Sequence, residues 1–113
     1  MAVLSIQDVT TAGLNPSFVA ANVGGDSFPN DGQTSFRIKN GGAASITVTV
    51  NSVAPCNYGF DHDIAVTVGI GADITIGPFS KARFNNSAGQ VGVTYTDVTS
   101  VTVAAIRQVS APN

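Results

Sequence analysis

The sequence predicts an all-β domain: a β-sandwich or jelly-roll-like Greek key of about seven or eight short antiparallel strands. Three observations lead there. Val, Ile and Thr dominate, while Glu and Trp are absent and Leu stands only at Leu4 and Leu14. β-Branched side chains lose rotamer freedom in a helix and pack well on a pleated sheet. Apolar residues recur at every second position in several runs, the period of a strand with one buried face. Twelve Gly and five Pro break those runs at turn-sized intervals. A chain of 113 residues makes one domain, expected over 1–113.

The first 32 residues are the least regular. Val3 to Val9 and Phe18 to Val23 read either as two ordinary strands or as parts of an extended segment that docks on a neighbour. Gly24-Gly25-Asp26 and Pro29-Asn30-Asp31-Gly32 are loop signals. The clearest strands follow. Thr34, Phe36 and Ile38 alternate with Ser35, Arg37 and Lys39; Ile46, Val48 and Val50 alternate with Thr47 and Thr49. Asn40-Gly41-Gly42 lies between them and tolerates positive φ, so the pair reads as a β-hairpin. The charged face of the first strand is expected to meet solvent or a polar interface.

Ile64 to Val68 and Ile74 to Ile76, joined by a turn with Gly69 and Gly71, read as a second hairpin. Gly77-Pro78-Phe79 ends it, because Pro cannot donate to a ladder. Lys81 to Phe84 reads as a short edge segment. Val91 to Tyr95 and Val101 to Arg107 read as a third hairpin around Thr96-Asp97-Val98-Thr99. Residues 108–113 are a tail expected to fray. The predicted core is Phe36, Ile38, Ile46, Val48, Val50, Val66, Val68, Ile74, Ile76, Val91, Val93, Tyr95, Val101 and Val103. A slip of one residue in any strand would expose that strand's apolar set.

Charge narrows the function classes. Only 11% of residues are charged, against about 25% in a typical domain. The formal charge is −2, and Arg37, Lys39, Lys81, Arg83 and Arg107 are scattered, so no basic field awaits nucleic acid. No apolar run approaches the length of a membrane span. Met1 to Asp8 lacks the basic and apolar regions of a signal peptide, which argues against Sec export. The lone Cys56 suits synthesis in a reducing cytoplasm. A Thr-, Ser-, Asn- and Ala-rich exterior fits a protein partly covered by copies of itself or by partners.

Catalytic and metal signals are weak. His62 is flanked by Asp61 and Asp63, but neighbouring strand residues point to opposite faces and nothing completes a zinc site. Cys56 and His62 make a conceivable dyad without an orienting group or oxyanion hole. The expectation is no catalytic residue, no metal and no cofactor. The segment Pro55 to Asp63 instead gathers aromatics, an amide, a thiol and charges in one interstrand loop, the kind of place where binding residues sit. The stretch Gly77 to Asn86 adds two Phe and two cations. Candidate partner-interface residues are therefore Tyr58, Phe60, Asp61, His62, Phe79, Arg83 and Phe84.

The motif series is Ile38-Lys39-Asn40-Gly41-Gly42, Ile46 to Val50, Pro55-Cys56-x-x-Gly59-Phe60-Asp61-His62-Asp63, Ile76-Gly77-Pro78-Phe79, Arg83-Phe84-Asn85, Val91 to Tyr95 and Val98 to Ala104. It resembles small proteins encoded beside the major capsid gene of tailed bacteriophages, over roughly Asp8 to Ile106. The resemblance implies a virion protein of the capsid decoration (cement) type, made in the host cytoplasm and placed on the capsid surface. Its implied partners are the phage's major capsid protein and copies of itself, as a dimer or trimer. Two other readings remain open at the sequence level. One is a head–tail joining or tail protein; the other is a non-catalytic carbohydrate-binding β-sandwich using Tyr58, Phe60 and His62.

Overall fold

A computed structural model describes residues 2–53 and 63–108. Its elements are β1 (Ala2–Val3), β2 (Ile6–Asp8), β3 (Val19–Ala20), β4 (Asp26–Pro29), β5 (Thr34–Asn40), β6 (Ile46–Val50), β7 (Ile64–Val68), β8 (Asp73–Ile76), a single-turn helix α1 (Lys81–Phe84), β9 (Gln90–Tyr95) and β10 (Val101–Arg107). One sheet has the order β1-β4-β9-β6-β7, the other β2-β10-β5-β8, with β3 also on β10. Without β1 and β2 the orders are β4-β9-β6-β7 and β3-β10-β5-β8, and every pairing is antiparallel. That is the double Greek-key order of a jelly roll. The protein is an all-β sandwich, as its alternating residues predict.

The three predicted hairpins are not hairpins. β5 pairs with β10 and β8, and β6 with β7 and β9. The strands of each predicted pair lie in opposite sheets, so residues 41–45, 69–72 and 96–100 are arches that cross the sandwich. Within the double Greek key, only β6 and β7 are consecutive and also paired. Alternation specifies which face of a strand is buried and is silent on which strand lies beside it.

Gly41 and Gly42 also serve a different purpose from the expected one. Neither adopts positive φ. A Cβ on Gly41 would lie 3.1 Å from the Ser100 carbonyl oxygen, and one on Gly42 only 2.8 Å from that of Thr99. The glycines let two arches touch backbone to backbone, and the Gly41 N–H donates to Ser100 O at 2.9 Å. Asn40, 2% exposed, ties in the third arch. Its Nδ2 donates to the Ala44 and Val68 carbonyls at 2.9 and 3.1 Å, and its Oδ1 accepts from Gly42 N–H. Its backbone bonds to Gly71 and Ala72.

Two further readings are corrected. Asp26–Pro29 carries loop signals yet forms β4, because its residues pair with Gln90–Val93 and bury Phe28 completely. Lys81–Phe84 is one helical turn and not an edge strand; it turns Phe84 inward. Of the first 32 residues, β1 and β2 add in parallel to β4 and β10, so this stretch passes from one sheet to the other. Residues 9–18 then lie over the outer face of β5, where the Phe18 ring sits 5.3 Å from the Arg37 guanidinium and 4.1 Å from the Lys39 ammonium. The charged face expected to meet solvent or a polar interface is thus partly covered by the chain itself, through Phe18. Of the predicted tail, 108–113, Gln108 donates its N–H to the Gln33 carbonyl at 3.3 Å; residues 109–113 lie outside the described residues.

Between the sheets runs a chain of rings. Tyr95 and Phe36 stand 6.4 Å apart, Phe36 and Phe28 5.7 Å at 11° between planes, Phe28 and Phe79 5.8 Å, and Phe79 and Phe84 5.3 Å edge to face. Phe28 belongs to one sheet and Phe36 to the other, so their contact joins the layers. Every residue of the predicted core is buried or packed against the buried cluster. Phe36→Ala is expected to cost about 3–5 kcal/mol. Asn40→Ala should cost about 1–3 kcal/mol by stranding buried carbonyls. Urea unfolding followed by circular dichroism checks both; a Phe36→Ala midpoint equal to wild type would contradict the core assignment.

Candidate functional site

Jelly-roll connectivity sorts the loops to two ends. Residues 21–25, 41–45, 69–72 and 96–100 form one end; residues 30–33, 51–53, Asp63 and 77–89 belong to the other. The second end carries the Gly77–Asn86 segment that the sequence singles out, together with the described flanks of the Pro55–Asp63 segment. Tyr58, Phe60, Asp61 and His62 lie outside the described residues. The flanks of their segment are anchored at this end: the Val53 N–H donates to the Arg83 carbonyl at 2.8 Å, and the Ser52 N–H donates to Asp63 Oδ1 at 2.8 Å.

The other three candidates divide. Phe79 and Phe84 are 2% and 5% exposed and belong to the ring chain, so their side chains pack the core and are not offered to a partner. Arg83 is exposed on α1, with its guanidinium 4.9 Å from the Phe84 ring centre. The sequence could not separate these roles. A Phe in an irregular loop has no period to reveal which way it points.

The scaffold beneath this end is polar and closed. Asn30, 7% exposed, donates through Nδ2 to the Phe79 carbonyl at 3.0 Å and to Asn85 Oδ1 at 2.8 Å, and its Oδ1 accepts from Gly32 N–H. Asn85 returns a bond to the Asn30 carbonyl at 2.8 Å. Nearby, Arg107 on β10 donates to both Asp8 oxygens at 2.7 and 3.0 Å and to Asp31 Oδ2 at 3.2 Å. The bond from Arg107 holds the Asp8 carboxyl below its ordinary range, and Asp8 raises the Arg107 guanidinium. Both groups are exposed, so this pairing stabilises little.

A second polar pair lies deeper. Tyr95 donates its hydroxyl to Asp26 Oδ2 at 2.7 Å, and the Asn22 N–H donates to the same oxygen at 3.1 Å. Asp26 is 1% exposed. Burial, then the hydrogen bond to Asp26, raises the Tyr95 phenol above its ordinary value. Asp26 also lines a groove of about 530 Å³ with Val3, Leu4, Val19 and Val103 to Ala105. The sequence analysis passed over this pair, because Asp26 and Tyr95 are far apart in the chain and only the β4–β9 pairing brings them together.

Among the described residues, no group of three or more His, Cys, Asp or Glu is placed to hold a metal ion, and no helix is long and apolar enough to cross a membrane. Comparison with protein-family models, curated proteins and solved structures returned no match.

Tyr95→Phe is expected to destabilise the fold by about 1–3 kcal/mol at pH 7, since Asp26 loses a buried donor. The sign of the pH effect follows from the raised phenol. Its contribution is fully present below the unfolded tyrosine value of about 10 and is lost as pH rises above it. The stability gap between wild type and Tyr95→Phe should therefore narrow above about pH 10, as chemical denaturation at pH 7, 9 and 11 will read. On the acid side, the lowered Asp8 contributes stability that is present above about pH 4 and lost below it. Because the pair is solvent-screened, Asp8→Asn should make that acid limb only slightly shallower when the denaturation series is extended to acid pH.

Proposed function

We propose that this chain is a non-catalytic structural protein of a tailed-bacteriophage particle, binding the outside of the capsid shell as a decoration protein. The observation that carries the proposal is the use made of polar groups. The buried polar side chains Asp26, Ser27, Asn30 and Asn40 bond to neighbouring strands and loops, which suits a rigid clip. The exterior is poor in charge, with only 11% of residues charged.

The motif series from Ile38 to Ala104 supports the phage origin. The physical logic of decoration is mass action. A domain that binds only the assembled shell adds buried area that exists only there, and so favours that shell. Copies repeated over a symmetric lattice make modest individual contacts sufficient. The proposed contact end is the one bearing Arg83 and the segment between Val53 and Asp63, with Tyr58, Phe60, Asp61 and His62 as contact residues.

Purified protein mixed with undecorated shells should sediment with them and saturate at a fixed ratio to the major capsid protein. Arg83→Ala and Tyr58→Ala should each weaken binding several-fold without lowering the melting temperature. Protein left in the supernatant at micromolar concentration overturns the reading. Copy number per particle separates it from a head–tail joining role, which occupies a single vertex.

A further inference from the structure

Asn40-Gly41 is the only Asn-Gly pair in the chain. Such a pair is the dipeptide most prone to deamidate, because glycine carries no Cβ to shield its nitrogen from the neighbouring side chain. In that reaction the deprotonated Gly41 nitrogen attacks the Asn40 Cγ. One C–N bond forms and the Cγ–Nδ2 bond breaks. Nδ2 leaves as ammonia, taking up from solvent the equivalent of the proton that the Gly41 nitrogen gave up. Water then opens the resulting five-membered imide at either carbonyl, leaving aspartate or isoaspartate.

The fold opposes each of these steps. Asn40 ends β5 in extended backbone, whereas ring closure needs ψ swung round until the Gly41 nitrogen faces Cγ. The Gly41 N–H is committed to the Ser100 carbonyl at 2.9 Å, so removing its proton would set an anion against a carbonyl oxygen. The leaving nitrogen is held by the Ala44 and Val68 carbonyls at 2.9 and 3.1 Å, and Oδ1 by the Gly42 N–H at 3.0 Å. At 2% exposure, Asn40 is also withheld from the water that completes the reaction.

The product does not fit the place its parent leaves. A carboxylate at this position replaces a double donor by an acceptor, and it buries a charge against two carbonyls that have lost their donor. Isoaspartate also routes the main chain through Cβ and so lengthens it by one atom. The arch has no slack for that: even a Cβ on Gly42 would stand 2.8 Å from the Thr99 carbonyl oxygen. Asn40 further bonds Gly71 and Ala72 through its backbone, so all three arches meet at the altered residue.

We propose that Asn40 is a deamidation site that the folded arches keep closed, and that its modification in an opened chain blocks return to the native fold. Time spent open then sets an irreversible loss of the protein. The proposal involves no partner and stands apart from the capsid role.

The test incubates the chain in mildly alkaline buffer, with and without denaturing urea. Digestion with pepsin in acid, where the imide forms slowly, is followed by mass spectrometry of the peptide containing Asn40. Deamidation should be at least about ten-fold slower without urea. Gly42→Ala pushes the arch off the Thr99 backbone and leaves the Asn40-Gly41 pair intact. It should raise the rate in buffer several-fold towards the urea rate and leave the urea rate unchanged. After urea is removed, the refolded fraction isolated by size exclusion should carry unmodified Asn40, while modified chains stay unfolded or aggregated. Equal rates with and without urea overturn the proposal, as does a Gly42→Ala rate in buffer equal to that of wild type. So do modified chains recovered in the refolded fraction in the proportion in which they entered.

Discussion

The contact of Phe28 with Phe36 is the point on which the sandwich depends. In the double Greek key, consecutive strands almost always lie in opposite sheets, so backbone hydrogen bonds hold each sheet together but do not hold the sheets to each other. That task falls to side chains between the layers. Phe28 projects from β4 and Phe36 from β5, both fully buried and nearly parallel at 5.7 Å. Tyr95, Phe79 and Phe84 extend the contact towards both ends. Burial of these rings supplies the apolar area that a domain of this size needs.

Around that core a few buried amides and one buried carboxylate fix the connections. Asn40 secures arches at one end, Asn30 and Asn85 secure loops at the other, and Asp26 with Tyr95 pins β4 to β9 beneath the groove. Each buried donor or acceptor used in this way avoids the penalty of an unmet hydrogen bond and also fixes a loop in one position. The described loops that these side chains bond are held in place although they are connections. Loops held in this way lose little freedom on binding any partner. The exterior is poor in charge for a different reason, the composition itself: only 11% of residues are charged.

The candidate site was only partly legible in the sequence. Composition marked Pro55–Asp63 and Gly77–Asn86 as unusual, and the connectivity places the flanks of the first segment beside the second, through Val53 and Arg83. Sequence could not tell that Phe79 and Phe84 face inward while Arg83 faces outward. Their loop has no alternation, and only packing against Phe28 decides it. Nor could it find the Asp26–Tyr95 pair, because a hydrogen bond between residues 69 positions apart requires the two strands to be adjacent first.

What the sequence determined by itself is the set of strands from β5 to β10 and the face that each one buries, because a period of two is written in every run and does not depend on neighbours. It also determined that the exterior would be poor in charge, since only 11% of residues are charged. Tertiary structure alone decided the pairing. Hairpins and arches share the same alternating residues and the same glycine-bearing turns, so Thr34–Val50 is equally compatible with either. The difference arises when Gly41 and Gly42 meet the Thr99–Ser100 backbone and Asn40 reaches Val68. Those contacts exist only after distant strands have come together, and no local window of the chain contains them.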